Sequence, residues 1–246
     1  MLTSVLEGSV SVGPYPELAG KRVLVTGLEL QAGVDVARAF AEQGCRIVLH
    51  TTASGAEADA VLEMLAQTAS ELQVYSDPLT DIESATRFAQ TAAKTFSGVD
   101  AVVNLIHLDL KALTAEALDG DFEAAIARRL QTARVITRIA ANRMRLTWCE
   151  GSIFNVLVST PPQTKAETIL LSMARAMLAS MTRSEASEWA DQAIRINAVA
   201  PVLDSAEAGA CLVSEPRVAA LAMFLASSRG RDLSGLVFDL GLVEHA

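Results

Sequence analysis

Short apolar, β-branched runs recur along the chain, and most are followed by a stretch whose apolar positions repeat every three to four residues. Residues 22–26 (RVLVT), 46–49 (RIVL), 72–75, 101–105 (AVVNL), 153–158 (IFNVLV), 194–199 (IRINAV) and 236–238 predict strands. Helical periodicity falls at 34–43, 82–95, 122–144, 168–189 and 217–226. Strands separated by helices predict an α/β architecture, a Rossmann-type doubly wound parallel sheet of about seven strands with helices on both faces. No Pro/Gly/Ser-rich linker divides the chain, so residues 18–246 are expected to form a single domain, preceded by an irregular N-terminal extension over 1–17. One helix departs from the usual pattern. In 168–189 the residues Ile169, Leu170, Leu171, Met173, Ala174, Ala176, Met177, Leu178 and Met181 lie nearly all round the axis, which predicts burial on both sides.

Composition narrows the function classes. Half of the 246 residues are apolar, yet no run reaches the ~18 to 20 uncharged apolar residues of a membrane span, so a soluble protein is expected. The first twenty residues lack the basic start and compact apolar stretch of a signal peptide, which points to the cytoplasm. Cys45, Cys149 and Cys211 are far apart, and His50, His107 and His245 have no ligand spacing, so neither a disulfide framework nor a metal site is expected. A net charge of -9 with only four lysines argues against nucleic acid and leaves proteins or small molecules as partners.

Five segments carry a family resemblance: LAGKRVLVTG (18–27), FSGVDAVVN (96–104), GSIFNV (151–156), TRSEASEWADQAIRINAVAP (182–201) and VAALAMFLASSRGRDLSGLVFDLG (218–241). In this order and spacing they resemble the short-chain dehydrogenase/reductase family. The resemblance implies the doubly wound fold already predicted and NAD chemistry.

The residues that the family uses are largely replaced. Its Thr-Gly-x-x-x-Gly-x-Gly turn, whose glycines let backbone approach a pyrophosphate at a helix N-terminus, reads Thr26-Gly27-Leu28-Glu29-Leu30-Gln31-Ala32-Gly33. Gln31 replaces the middle glycine between Gly27 and Gly33, and Glu29 adds a negative charge beside an anionic ligand. Gln31 alone is compatible with a tolerated variant. Thr51 stands where the family often has an acid for the adenosine ribose. Asn104-Leu105-Ile106-His107 replaces the small Asn-Asn-Ala-Gly segment. Asp77 matches the adenine-contacting aspartate and is the one possible remnant.

The catalytic positions are replaced as well. The family's tyrosine and lysine, whose proximity lowers the tyrosine pKa from ~10, fall on Leu171 and Arg175. The serine falls on Val158 and the asparagine on Arg129. The only tyrosines are Tyr15 and Tyr75, with Ala19 and Leu79 four residues on, so no shift of alignment restores the pair. An arginine at position 175 also resembles the halohydrin dehalogenases, but these use a tyrosine too. Only 14 residues separate Pro201 from Pro216, which removes most of the substrate-covering lid.

The resemblance therefore implies a non-catalytic subunit that binds no cofactor itself, with NAD held by an active short-chain dehydrogenase partner. Contacts are expected through the helices 122–144 and 168–189 and the C-terminal tail around 236–243, which in the family build a four-helix bundle and a second tetramer contact. Paired active and inactive subunits occur among hydroxyacyl-CoA dehydrogenases resembling this family. The partner's substrate is accordingly expected to be a hydroxyacyl-CoA, with toluene/benzylsuccinate β-oxidation as the specific expectation. The arginines Arg128, Arg129, Arg134, Arg138 and Arg143 read as a solvated face or as ion-pair donors to that partner. His107 reads as a packed loop residue, since no acid at fixed spacing orients it. Two other readings remain open: a ligand-binding sensor with a remodelled nucleotide or acyl-CoA pocket, and an enzyme with a relocated site at His107 or Ser159.

Overall fold

A computed structural model of the chain describes residues 14–116, 121–200 and 215–239. The strands are β1 (Arg22–Leu28), β2 (Arg46–Thr51), β3 (Glu71–Tyr75), β4 (Ala101–Leu108), β5 (Gly151–Ser159), β6 (Ile194–Val199) and β7 (Val237–Phe238). All pair in parallel, in the order β3-β2-β1-β4-β5-β6-β7. The order reverses between β1 and β4, and the crevice beyond their carboxyl ends is where ligands of such sheets bind. The predicted fold class is the one observed.

The helices are α1 (Val34–Glu42), α2 (Ala56–Thr68), α3 (Ile82–Ala92), α4 (Leu110–Glu116), α5 (Phe122–Leu146), α6 (Lys165–Trp189) and α7 (Glu215–Ala226). Residues of α1, α2 and α7 pack on one face of the sheet, around Phe40, Leu65 and Leu225. Residues of α3, α4, α5 and α6 cover the other, around Ile126, Ile136, Met144 and Leu178. β1 and β4 are buried on both faces, which explains their near-continuous apolar runs.

Several bounds differ from the periodicity, each for a local reason. α2 is absent from the predicted set because only Ala58 and Leu65 of its thirteen residues are buried, too narrow a stripe to read. α4 has seven residues and shows too little of a helical period. α3 stops at Ala92 rather than at 95, since Phe96 and Ser97 take positive φ of 55° and 66° in a tight turn. α6 begins three residues before the predicted start because Thr164 caps it, its side chain accepting from the Glu167 amide at 3.2 Å. β4 and β5 extend to Leu108 and Ser159 because His107 and Ser159 continue the paired ladder in spite of their polarity.

Within the described part of the N-terminal extension, Pro16–Leu18 forms a 3-10 turn and Tyr15 packs against the core beneath the Arg229 guanidinium. No described helix is long and apolar enough to cross a membrane. The expectations for the 202–215 stretch and for the C-terminal tail beyond residue 239 fall mostly outside the described residues, as do Cys211 and His245.

Candidate functional site

The crevice at the carboxyl ends of β1 and β4 starts from a ladder of buried polar groups. Thr26 Oγ1 donates to Asn104 Oδ1 at 2.9 Å, and Asn104 Nδ2 donates to Asn155 Oδ1 at 2.8 Å and Thr137 Oγ1 at 3.2 Å. This ladder joins β1, β4, β5 and α5 behind the site. Thr51 is also consumed internally: its hydroxyl donates to Leu28 O at 2.7 Å and accepts from the Ala53 amide at 3.0 Å.

The turn between β1 and α1 is closed on itself. The Glu29 amide donates to Ala32 O at 2.9 Å and the Ala32 amide to Glu29 O at 3.0 Å, a two-residue loop with Gln31 exposed at its tip. Gly27 and Gly33 have φ of 75° and 103°, and a Cβ on either would run into Leu105, its carbonyl at Gly27 and its Cδ1 at Gly33. Leu105 thus fills the space that the two glycines leave. At the N-terminus of α1 the Asp35 amide donates to Glu215 Oε1 at 2.5 Å. Burial raises the Glu215 pKa, against the amides of Asp35, Gly33 and Val36, which favour its charged form. A carboxylate of the chain itself therefore caps the helix end that attracts anions.

His107 lies across the same turn. Its Nε2 donates to Gly27 O at 2.6 Å, because a carbonyl can only accept, and its Nδ1 lies 3.5 Å from Glu29 Oε2. The sequence shows no acid at a fixed spacing from His107, but the fold supplies Glu29 from 78 positions earlier in the chain. His50 is a further inward-facing group that sequence reasoning missed. Its Nε2 donates to Asp77 O at 3.0 Å, its Nδ1 is buried without a partner, and burial lowers its pKa. The cleft lined by His50, Gly27, Asn104, His107 and Arg129 holds about 200 Å³. Ligand pockets commonly occupy about 300 to 1,000 Å³.

The residues that the sequence places at the family's catalytic positions make structural contacts in this fold. Leu171 is 0% exposed in the core between α6 and the sheet. Val158 pairs with His107 across the β4–β5 ladder. Arg129 ion-pairs with Glu116 Oε1 at 2.6 Å, and Arg175 with Asp239 Oδ1 at 2.7 Å. Ser159 Oγ donates to Thr160 O at 3.0 Å. Asp77 is exposed at the end of β3, lining a separate hollow with Tyr75 and Arg87. Among the described residues no three His, Cys, Asp or Glu side chains converge as metal ligands would.

A second region has the opposite character. Between α5 and α6 runs a groove of about 450 Å³, lined by Leu130, Arg134, Met177, Met181, Glu185 and Glu188. Glu185 is 4% exposed, and neither carboxylate oxygen has a hydrogen-bond partner. Burial pushes its pKa up to about 7, although Arg134 and Arg138 pull it down. The arginine row of α5 is largely tied down within the chain: Arg128 and Arg129 reach Glu116, Arg134 reaches Glu185, Arg138 reaches Glu188, and Arg143 donates to Ser97 O. One face of α6 is buried through Leu170, Leu171, Ala174 and Leu178. On its other face Ile169 is 57% exposed, and Met173, Met177 and Met181 are half-buried. The burial on both sides predicted for this helix is thus met on one face within this chain.

A family model described as enoyl-(acyl carrier protein) reductase matches residues 32–215. Glucose 1-dehydrogenase 2 of Bacillus subtilis is 23% identical, over 76% of this chain and 73% of the relative. D-beta-hydroxybutyrate dehydrogenase of Cupriavidus necator is 26% identical, over 91% and 97%. Among solved structures, a short-chain type dehydrogenase/reductase from Mycobacterium marinum superimposes with a TM-score of 0.72 at 19% identity, covering 94% of this chain and 97% of the other.

Proposed function

The chain belongs to the short-chain dehydrogenase/reductase family, and within it we propose a non-catalytic role, as the structural or regulatory subunit of a hetero-oligomeric NAD-dependent dehydrogenase. The closed β1–α1 turn carries this reading. A dinucleotide pyrophosphate needs free amides and open space at the helix end, whereas here the amides of Glu29, Ala32 and Asp35 have intrachain acceptors. Leu105 fills the space beside Gly33. These residues do not fit NAD on this chain. With Leu171 buried at the tyrosine position, no phenol stands there to exchange a proton with substrate oxygen.

In this reading the active partner holds NAD and the substrate, and it seats on α5 and α6 and on the C-terminal tail. The groove supports that placement, because a buried carboxyl that has a distant ion pair with Arg134 but no hydrogen bond is costly and would be relieved by a donor from outside the chain. Similarity to a D-beta-hydroxybutyrate dehydrogenase supports a β-hydroxyacyl substrate for the complex. The specific proposal is a hydroxyacyl-CoA of aromatic-hydrocarbon degradation of the benzylsuccinate type. Co-purification from the native host, with both subunits identified and NADH titrated against each, tests the reading. The expected result is a stable complex with a second short-chain dehydrogenase, and no NADH binding by this chain alone. A lone homo-oligomer that binds NADH tightly would overturn it.

One observation favours a second reading, a small-ligand sensor: the buried, unpartnered Nδ1 of His50 lines the cleft and offers an acceptor to a compact donor. It predicts saturable ligand binding without turnover and without a partner.

A further inference from the structure

At the end of the sheet opposite the crevice lies a cavity of about 590 Å³, walled by the last turns of α6, the start of β6 and the 231–235 loop. Three arginines line it, Arg183, Arg195 and Arg231, against two acids, Glu150 and Asp232, so the cavity is cationic in a chain whose net charge is -9. Arg195 is half-buried. Its Nη1 donates to Leu225 O and Gly230 O, both at 2.6 Å, which fixes the guanidinium while its Nε and Nη2 have no acceptor among the described residues. No carboxylate lies within ion-pair distance of it among those residues. Arg183 is exposed and has neither a hydrogen bond nor an ion pair there. Arg231 is held at the rim by Glu150, at 3.2 Å between two exposed side chains, a weak pair in water. Ser234 Oγ accepts from the Ile196 amide at 3.2 Å, which leaves its hydroxyl hydrogen free to donate.

A fixed, partly desolvated guanidinium with no ion pair in contact among the described residues is an incomplete arrangement. Burial disfavours its charge and Arg231 adds repulsion, with only Glu150 and Asp232 opposing. Guanidinium forks match the oxygens of a phosphate, and three lining one cavity suit a dianion better than a single carboxylate. The volume exceeds what inorganic phosphate fills and leaves room for an organic moiety. We propose that this cavity, formed around Arg183, Arg195 and Arg231, is a binding site for a small phosphomonoester. A ligand here sits at the amino ends of the strands and does not compete for the crevice. The site stands independently of the subunit role proposed above.

The test uses the full-length chain with ribose 5-phosphate and inorganic phosphate as probes, against chloride at matched ionic strength. Binding is followed by isothermal titration and by thermal melting. Arg195 also holds two carbonyls, so the informative variants are Arg183→Gln and Arg231→Gln, whose side chains carry no buried contact. Ribose 5-phosphate is expected to bind saturably and raise the melting temperature, with affinity falling about tenfold in Arg183→Gln. Phosphate binding that is lost in either variant also supports the site. Absence of saturable binding by both probes, or affinity unchanged in both variants, overturns it.

Discussion

The crevice beyond β1 and β4 and the groove between α5 and α6 treat their polar groups in opposite ways. In the crevice most donors and acceptors are spent inside the chain, His50 Nδ1 and Asn155 Nδ2 excepted: the 29–32 loop closes on itself, Glu215 caps α1, His107 binds the Gly27 carbonyl, and Leu105 packs against Gly33. In the groove the buried carboxylate of Glu185 has no hydrogen-bond partner and is ringed by half-buried methionines. A polar group satisfied inside the chain is stable as it stands, whereas a buried group without a hydrogen bond carries a desolvation cost that a donor from outside would relieve.

The comparison is most severely tested at Asn104. If the crevice is a self-satisfied polar core, Asn104→Leu strands Asn155, Thr137 and Thr26 and costs about 3 kcal/mol in urea unfolding, whereas a neutral result would mean that the ladder contributes little. Next comes the groove itself. Met177→Arg is expected to weaken association with the proposed active subunit about 100-fold in a pull-down titration, while the melting temperature of the isolated chain moves by only a few degrees, about the scatter of surface changes.

Reopening the crevice sharpens the contrast further. The combined change Gln31→Gly, Leu105→Ala and Glu215→Gln frees the turn and the helix end, and NADH fluorescence should then report binding in roughly the millimolar range where the parent chain is expected to give none. Turnover should remain absent, since Leu171 offers no proton.

The smallest expected effect is a pH slope. Glu185 has a folded pKa of about 7 against an ordinary 4.5, so the folded chain binds this proton more tightly than the unfolded chain does. The stability it confers is fully present below about pH 4.5 and is lost as pH rises through about 7. The groups facing it are Arg134 and Arg138 from α5 and Glu188 on its own helix. The melting temperature of the isolated chain should therefore fall across that window, and Glu185→Gln should flatten the fall. A partner that donates to Glu185 should abolish the slope in the complex, and persistence of the slope there would place the partner elsewhere.

Much of the frame was legible in the sequence. All seven strands coincide in place with the apolar runs; the central ones, buried on both faces, leave a near-continuous apolar signature, while β3 and the short β7 are only partly buried. α2 and α4 were not legible, one being too little buried and the other too short to display a period. Within the candidate site, the replacements at Gln31, Leu171 and Arg175 are matters of residue identity and can be read directly. The occupants of the vacated space cannot.

Residue identity and order alone determined the fold class, the family and the absence of a tyrosine–lysine pair, since these depend on local periodicity and on which side chains exist. Only the tertiary structure decided that Glu215 caps a helix 180 positions earlier, that Glu29 reaches His107, and that Glu185 is buried beside Arg134 yet lacks a hydrogen-bond partner. Such contacts join segments far apart in the chain, so no local pattern encodes them. They are set by which strands lie side by side and by how the helices pack against the sheet.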